Sequence, residues 1–180
     1  VDRLVAKDQA DGETTRGKIL GQFSCEVEND IPHLFHAQLP ALLEGRRVNT
    51  VLHSIAFADM ERTKSLGQSS WESYAQAQHI SSFSLIETAR CAFDPPPPSS
   101  DDSRQITPVL ADNASLTALT YLGAVRALPP YHIMGPAKAS LEANVRGLAA
   151  EYGHVPNPTS STGSSSRRRQ LTRSSDDDDD

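Results

Sequence analysis

The sequence predicts an α/β fold in which a doubly wound parallel sheet carries helices on both faces. Three observations predict it. Apolar runs of strand length alternate with longer segments whose apolar residues recur at helical spacing. The order of these segments is strand, helix, strand, helix, strand, helix, which favours parallel pairing through crossover helices. Of the 180 residues, roughly 150 remain once a polar C-terminal stretch is set aside, enough for one core.

Each element has a local reason. Residues 1–18 are polar and show no period. Ile19 to Val27 (ILGQFSCEV) reads as a short strand. Asn29 or Asp30 can cap the first helix, and Pro32 is tolerated in its first turn. Ile31, Leu34, Phe35, Leu39, Leu42 and Leu43 supply the helical face. Pro40 should kink or shorten that helix, and Gly45 should stop it. Val48 to Phe57 then reads as a strand buried on both faces.

After a polar loop over 59–68, Ser69 and Glu72 have the spacing of a capping box. Trp71, Ala75, Ile80, Phe83, Ile86, Ala89 and Phe93 form the face of a long helix, which must end before the four prolines from Pro95 to Pro98. Residues 94–113 read as an exposed insertion loop within a domain spanning 1–153. Ala114 to Leu122 is the last strand. The last helix begins near Tyr131 or Gly135 and runs to Tyr152, with Glu142 and Arg146 at i,i+4 and Gly153 as its stop.

Composition narrows the function classes. Residues 154–180 hold only Val155 and Leu171 as large aliphatics and are predicted to be a disordered Ser/Arg/Asp-rich tail. That tail carries four Arg and five Asp, so the body has 13 basic and 18 acidic residues. A mildly acidic body argues against nucleic-acid binding, which needs a basic face. No apolar run approaches 18 residues, so no transmembrane helix is expected. Two cysteines, Cys25 and Cys91, are too few for a disulfide framework and read as free thiols.

Several motifs have bland readings. Gly12 to Lys18 (GETTRGK) nearly matches a phosphate loop, but Ile19 stands where the magnesium-binding hydroxyl belongs. His33 and His36 lie three apart without an acidic or thiol partner at ligand spacing, so no metal site is expected. In a parallel sheet, ligands bind beyond the carboxyl ends of the strands. The residues to search are therefore Glu26 and Val27, Ser54 to Phe57, and Thr120 to Tyr121.

The richest stretch is Thr120 to Gly153, TYLGAVRALPPYHIMGPAKASLEANVRGLAAEYG. Tyr131 and Lys138 are seven residues apart, which on a continuous helix places both on one face, about 10 Å apart along the axis. A phenol can donate to a developing oxyanion, and a nearby ammonium favours that charge. Tyr121 follows a strand end and could line the same cavity.

This stretch resembles the signature of the NADH-dependent enoyl-[acyl-carrier-protein] reductases of type II fatty-acid synthesis, a divergent branch of the short-chain dehydrogenase/reductase superfamily. That branch carries Tyr-x6-Lys where the superfamily usually has Tyr-x3-Lys, and Tyr131 to Lys138 has the longer spacing. Tyr121 matches the family's first tyrosine. LHSIAFADM (Leu52 to Met60) is similar to the family's nicotinamide-side strand end, and AQHISSFSLIETAR (Ala77 to Arg90) to its next helix. Cys25-Glu26-Val27 resembles a C-D-V that contacts adenine, with Glu in place of Asp.

The resemblance covers roughly Ser24 to Gly153 and implies a Rossmann-like sheet without the family's first strand, glycine-rich turn and C-terminal strands. It implies an oxidoreductase that transfers hydride from NADH to the β-carbon of a trans-2-enoyl thioester borne on acyl carrier protein. Tyr131, with Tyr121, would serve the thioester carbonyl and Lys138 the nicotinamide ribose. Glu26, Val27, Ser54, Ile55 and Ala56 would lie along the cofactor, and Tyr121 and Met134 along the acyl chain. It further implies a cytoplasmic protein, or a plastid one, and the family's tetrameric assembly. Two other readings stand beside it: a non-catalytic fragment that cannot bind NADH productively, and a short-chain reductase with another carbonyl or enone substrate.

Overall fold

The computed structural model describes residues 19–59, 65–94 and 108–153. The phosphate-loop-like segment 12–18, most of the predicted insertion and the predicted tail lie outside them. Five main elements, joined in places by short 3-10 turns, make up the described fold. They are helix α1 over 31–43, strand β1 (Val48–His53), helix α2 over 71–93, strand β2 (Leu110–Ala118) and helix α3 (Met134–Tyr152). β1 and β2 pair in parallel and α2 crosses between them, the predicted strand–helix–strand unit.

The predicted strand over 19–27 is irregular chain. Its Cys25 and Val27 instead pack on a cluster built from Ile31, Phe35 and Leu43 of α1 and Cys91, Ala92 and Leu110. The described sheet therefore has two strands, and β1 is not buried on both faces: Leu52 is 57% exposed. β2 starts at Leu110, four residues earlier than its apolar run, so the end of the predicted insertion belongs to the sheet. A bulge absorbs the difference, because the register steps from Val48↔Leu110 to Thr50↔Ser115. Asn113 occupies that bulge with a left-handed φ of 63°.

Both long helices contain a wide turn. In α1 it spans Leu34–Gln38, where the Leu39 N–H reaches back five residues to the Leu34 carbonyl, just ahead of Pro40. Proline has no N–H to continue the ordinary ladder, so the kink expected at Pro40 takes this form. Glu44 and Gly45 then end the helix with positive φ, and Arg46 donates from Nε to the Leu43 carbonyl at 2.9 Å.

In α2 the wide turn spans His79–Phe83. An extra residue in a turn rotates everything after it around the helix, so one apolar face cannot run the whole length. Trp71 and Phe83 of the predicted face point to solvent. The buried side is made of small residues instead, among them Ala77, Ser81, Ser84, Ala89 and Ala92, with Leu85. These let α3 approach closely, and α3 answers with Met134, Ala137, Lys138 and Leu141 at i, i+3, i+4 and i+7. The N-cap is Ser70, not Ser69: its side chain accepts from the Ser73 N–H at 3.1 Å.

Candidate active site

The site forms where the carboxyl ends of β1 and β2 meet the start of α3. Lys138 is 4% exposed, and its Nζ donates to the carbonyls of Leu119 at 2.9 Å and Ile55 at 3.3 Å. Each acceptor lies just past a strand end, so one ammonium ties both ends together. An ammonium has three N–H groups, which leaves one beyond these two bonds. Burial pushes the Lys138 pKa below the usual lysine value.

The loop after β1 is fixed from the other side by α2. Ser81 Oγ accepts from the Phe57 N–H at 2.9 Å and donates to the Phe57 carbonyl at 3.0 Å. Just upstream, His53 is 2% exposed, with Nε2 and Ser84 Oγ 2.8 Å apart. Ser84 Oγ uses its own proton on the Ile80 carbonyl at 2.7 Å, so it must accept from His53. The imidazole is then the Nε2–H tautomer, and its Nδ1 is buried without a hydrogen-bond partner. Burial first, and the Lys138 charge second, lower the His53 pKa to about 4.

Tyr131 does not stand on α3. It closes a 3-10 turn, Pro129–Tyr131, and the helix begins three residues later at Met134. The predicted single helical face for Tyr131 and Lys138 is therefore corrected: the tyrosine ends a 3-10 turn, and two residues outside regular helix separate it from the helix that holds the lysine. The two prolines hold φ in the range of such a turn and keep the α-helix from starting sooner. The Tyr131 ring stacks obliquely on that of Tyr121, with centroids 4.8 Å apart and planes at 55°. Its flank lies against Gly123, where a Cβ would land on the ring carbons Cδ1 and Cε1. Burial, and then the neighbouring Tyr121, raise the Tyr131 pKa. The phenol accordingly stays protonated and available as a donor.

The remaining predicted residues fall around this centre. Ser54 and Ala56 are exposed and Ile55 half-buried in the strand-end loop. Met134 is buried against Ile133 and Ala77, with Tyr131 packed alongside. Glu26 and Val27 lie in the turn before α1, where the Glu26 carbonyl accepts from Asn29 and Asp30, and Val27 packs on the α1 cluster. Glu28 of that turn sits 3.9 Å from His79 of α2. A cavity of about 550 Å³ opens beside Tyr131, lined also by Leu66, Gly123, Arg126, Leu128, His132 and Ala139. Sequence reasoning missed His53, Ser81, Ser84, Gly123 and His132. A histidine inside the apolar run LHSIAF was the one visible sign of a buried polar network.

Comparison with known proteins gives a consistent answer. The family model described as enoyl-(acyl carrier protein) reductase matches residues 23–156. An enoyl-[acyl-carrier-protein] reductase [NADH] FabI from Nostoc sp. (strain PCC 7120) is 38% identical over 108 residues, which are 59% of this chain and 36% of the relative. One from Neisseria meningitidis serogroup B is 38% identical over 133 residues, 71% of this chain and 44% of the relative. The crystal structure of the enzyme from Anaplasma phagocytophilum in complex with NAD superposes with a TM-score of 0.58 at 27% identity, covering 72% of this chain and 44% of that one. The Bacillus cereus enzyme with NADP+ and an indole naphthyridinone gives 0.56 at 32% identity, covering 74% and 48%. The chain thus spans between a third and a half of the length of these relatives, and its sheet and helices form part of their Rossmann-like fold.

Proposed function

Because this chain belongs to the enoyl-(acyl carrier protein) reductase family, we propose that it serves the NADH-dependent reduction of a trans-2-enoyl thioester borne on acyl carrier protein, in a cytoplasmic setting. The observation that carries the proposal is a buried lysine that bonds the backbone just past the carboxyl ends of two parallel strands, with a protonated tyrosine tilted on Tyr121 in the segment that leads from the second strand to the lysine's helix. The chemistry that NADH supplies when bound is hydride transfer to the β-carbon of the thioester. The donor set fits that partner: a buried ammonium with one N–H beyond its two carbonyl bonds, and exposed Ser54 and Ala56 on the adjoining loop.

Tyr131 donates a hydrogen bond to the thioester carbonyl oxygen as negative charge builds there. Lys138 would hold the nicotinamide ribose with its remaining N–H, and its charge would favour the developing enolate. Ser54, Ile55 and Ala56 would lie along the cofactor, and Glu26 and Val27 at its adenine. Tyr121 and Met134 border the acyl chain, and Met134 makes an adaptable apolar wall.

The test is saturable NADH binding followed by oxidation of NADH with crotonoyl thioester. Tyr131→Phe is expected to lower kcat by roughly 10²–10⁴, the usual worth of a positioned proton donor. Lys138→Ala is expected to weaken NADH binding as well. A folded chain without saturable NADH binding would defeat the reading, and full activity in both variants would remove these two residues from it.

A further inference from the structure

The segment that delivers Tyr131 contains the most unusual of the positive-φ residues in the described chain. His132 has φ 24° and ψ −116°. Glu44 and Asn113 also have positive φ, at 51° and 63°, but those values belong to ordinary left-handed turns. His132 lies outside every region that a residue with a Cβ adopts readily. Such a conformation persists only where its surroundings over-determine it.

The surroundings do so from both sides. On one side Pro129 and Pro130 preset the 3-10 turn, and the Tyr131 N–H closes it on the Leu128 carbonyl at 2.8 Å. The Tyr131 ring is then pressed between Gly123 and Tyr121. On the other side Ile133 is fully buried and Met134 is 6% exposed, both packed against Ala77 of α2. The Tyr131 ring must reach the cavity beside Gly123 while still touching the core cluster that its second and third successors enter. A single residue, His132, joins the tyrosine to that buried pair. The His132 carbonyl still accepts from Gly135 at 3.3 Å, so the strained residue also opens the first turn of the helix that carries Lys138.

We propose that His132 is a positioning residue: its strained backbone, not its imidazole, seats the Tyr131 ring against Gly123 and Tyr121 while α3 starts in register to bury Lys138. The proposal gives that seat its importance from the reading of Tyr131 as the proton donor, but its test follows the ring and not turnover. Failure of either can therefore be told from failure of the other.

The test uses ring-labelled tyrosine and NMR on the full chain. The Tyr131 signal is identified as the one lost in Tyr131→Phe, and stacking on Tyr121 displaces it from an ordinary tyrosine position. In His132→Gly, which has no Cβ to clash in this conformation, the displaced signal is expected to stay in place. In His132→Val, whose branched side chain resists positive φ, it is expected to return to the ordinary position while helix content is retained. Retention of the displaced signal in the valine variant would overturn the proposal, since the turn would then not need this backbone. Its loss in the glycine variant would also overturn it, since the imidazole would then be doing the seating. Should the valine variant fail to fold, the glycine variant decides alone, retention supporting and loss overturning.

Discussion

The buried imidazole of His53 makes acid stability a direct probe of the site. An unfolded histidine takes up a proton near pH 6.5, whereas the folded one does so only at about pH 4. Between those values the unfolded state binds more protons than the native state, so stability falls as pH falls. Above pH 6.5 the contribution is level. The gap of 2.5 pKa units corresponds to about 3 kcal/mol, a large part of the 5–15 kcal/mol of a typical domain. The perturbation is His53→Leu, which removes the titrating group and leaves Ser84 bonded to the Ile80 carbonyl. Urea unfolding of both proteins at pH 7.5, 6, 5 and 4 gives the difference in stability at each pH, in which all other titrations cancel. That difference is expected to move by about 3 kcal/mol in favour of the variant between pH 7.5 and 4. A flat difference would show that His53 already takes its proton in the folded state near the ordinary pH. Burial outweighs Lys138 as the cause, so Lys138→Met should only partly restore the histidine's normal titration.

Other substitutions report on neighbouring contacts. Gly123→Ala puts a methyl on the Tyr131 ring; it should cost about 1–3 kcal/mol in urea unfolding and move the Tyr131 ring signal. Lys138→Met leaves the Ile55 and Leu119 carbonyls without their donor. A loss of about 1–3 kcal/mol is expected for each carbonyl that water cannot reach, measured by urea unfolding at pH 7.5. Ser70→Ala removes the cap of α2 and should cost about 1 kcal/mol, with faster amide exchange confined to the first turn. Leu85→Ala opens a hole beneath α2 and should cost about 2–5 kcal/mol, read by thermal unfolding.

The sequence was legible where one period governs a whole element. α3 buries Met134, Ala137, Lys138 and Leu141 at regular helical spacing, and its end at Tyr152 was readable to the residue. The same rule failed on α2 because the turn at His79–Phe83 shifts the phase halfway along. Large apolar side chains such as Trp71 and Phe83 then look like core and are not. Buried serines and alanines do the packing instead, and small residues carry little weight in a hydrophobic count. ILGQFSCEV failed for another reason. Its composition suits a strand, but the β1 ladder described here pairs with β2, and Cys25 and Val27 find burial against α1 without any ladder.

The site shows the limit most clearly at the spacing of Tyr131 and Lys138. Seven residues fit two helical turns, yet the tyrosine ends a 3-10 turn and two residues outside regular helix lie between it and the helix that holds the lysine. The number seven thus spans a turn end and a helix start and is not a helical repeat. The resemblance to a known family picked out these two residues as a pair to examine, while the geometric argument attached to them did not hold. What Lys138 grips was invisible for a different reason: both its partners are backbone carbonyls, and any residue types at positions 55 and 119 would offer the same atoms. Two positions in the centre have a plain requirement for the arrangement to close. Gly123 must lack a Cβ beneath the tyrosine ring, and Lys138 must be long enough to span two strand ends. The second has a readable consequence: a lysine lies on the buried stripe of a helix, where its charge is costly unless satisfied. That place in the stripe, visible in the helical spacing of the sequence alone, is the physical sign that Lys138 holds something.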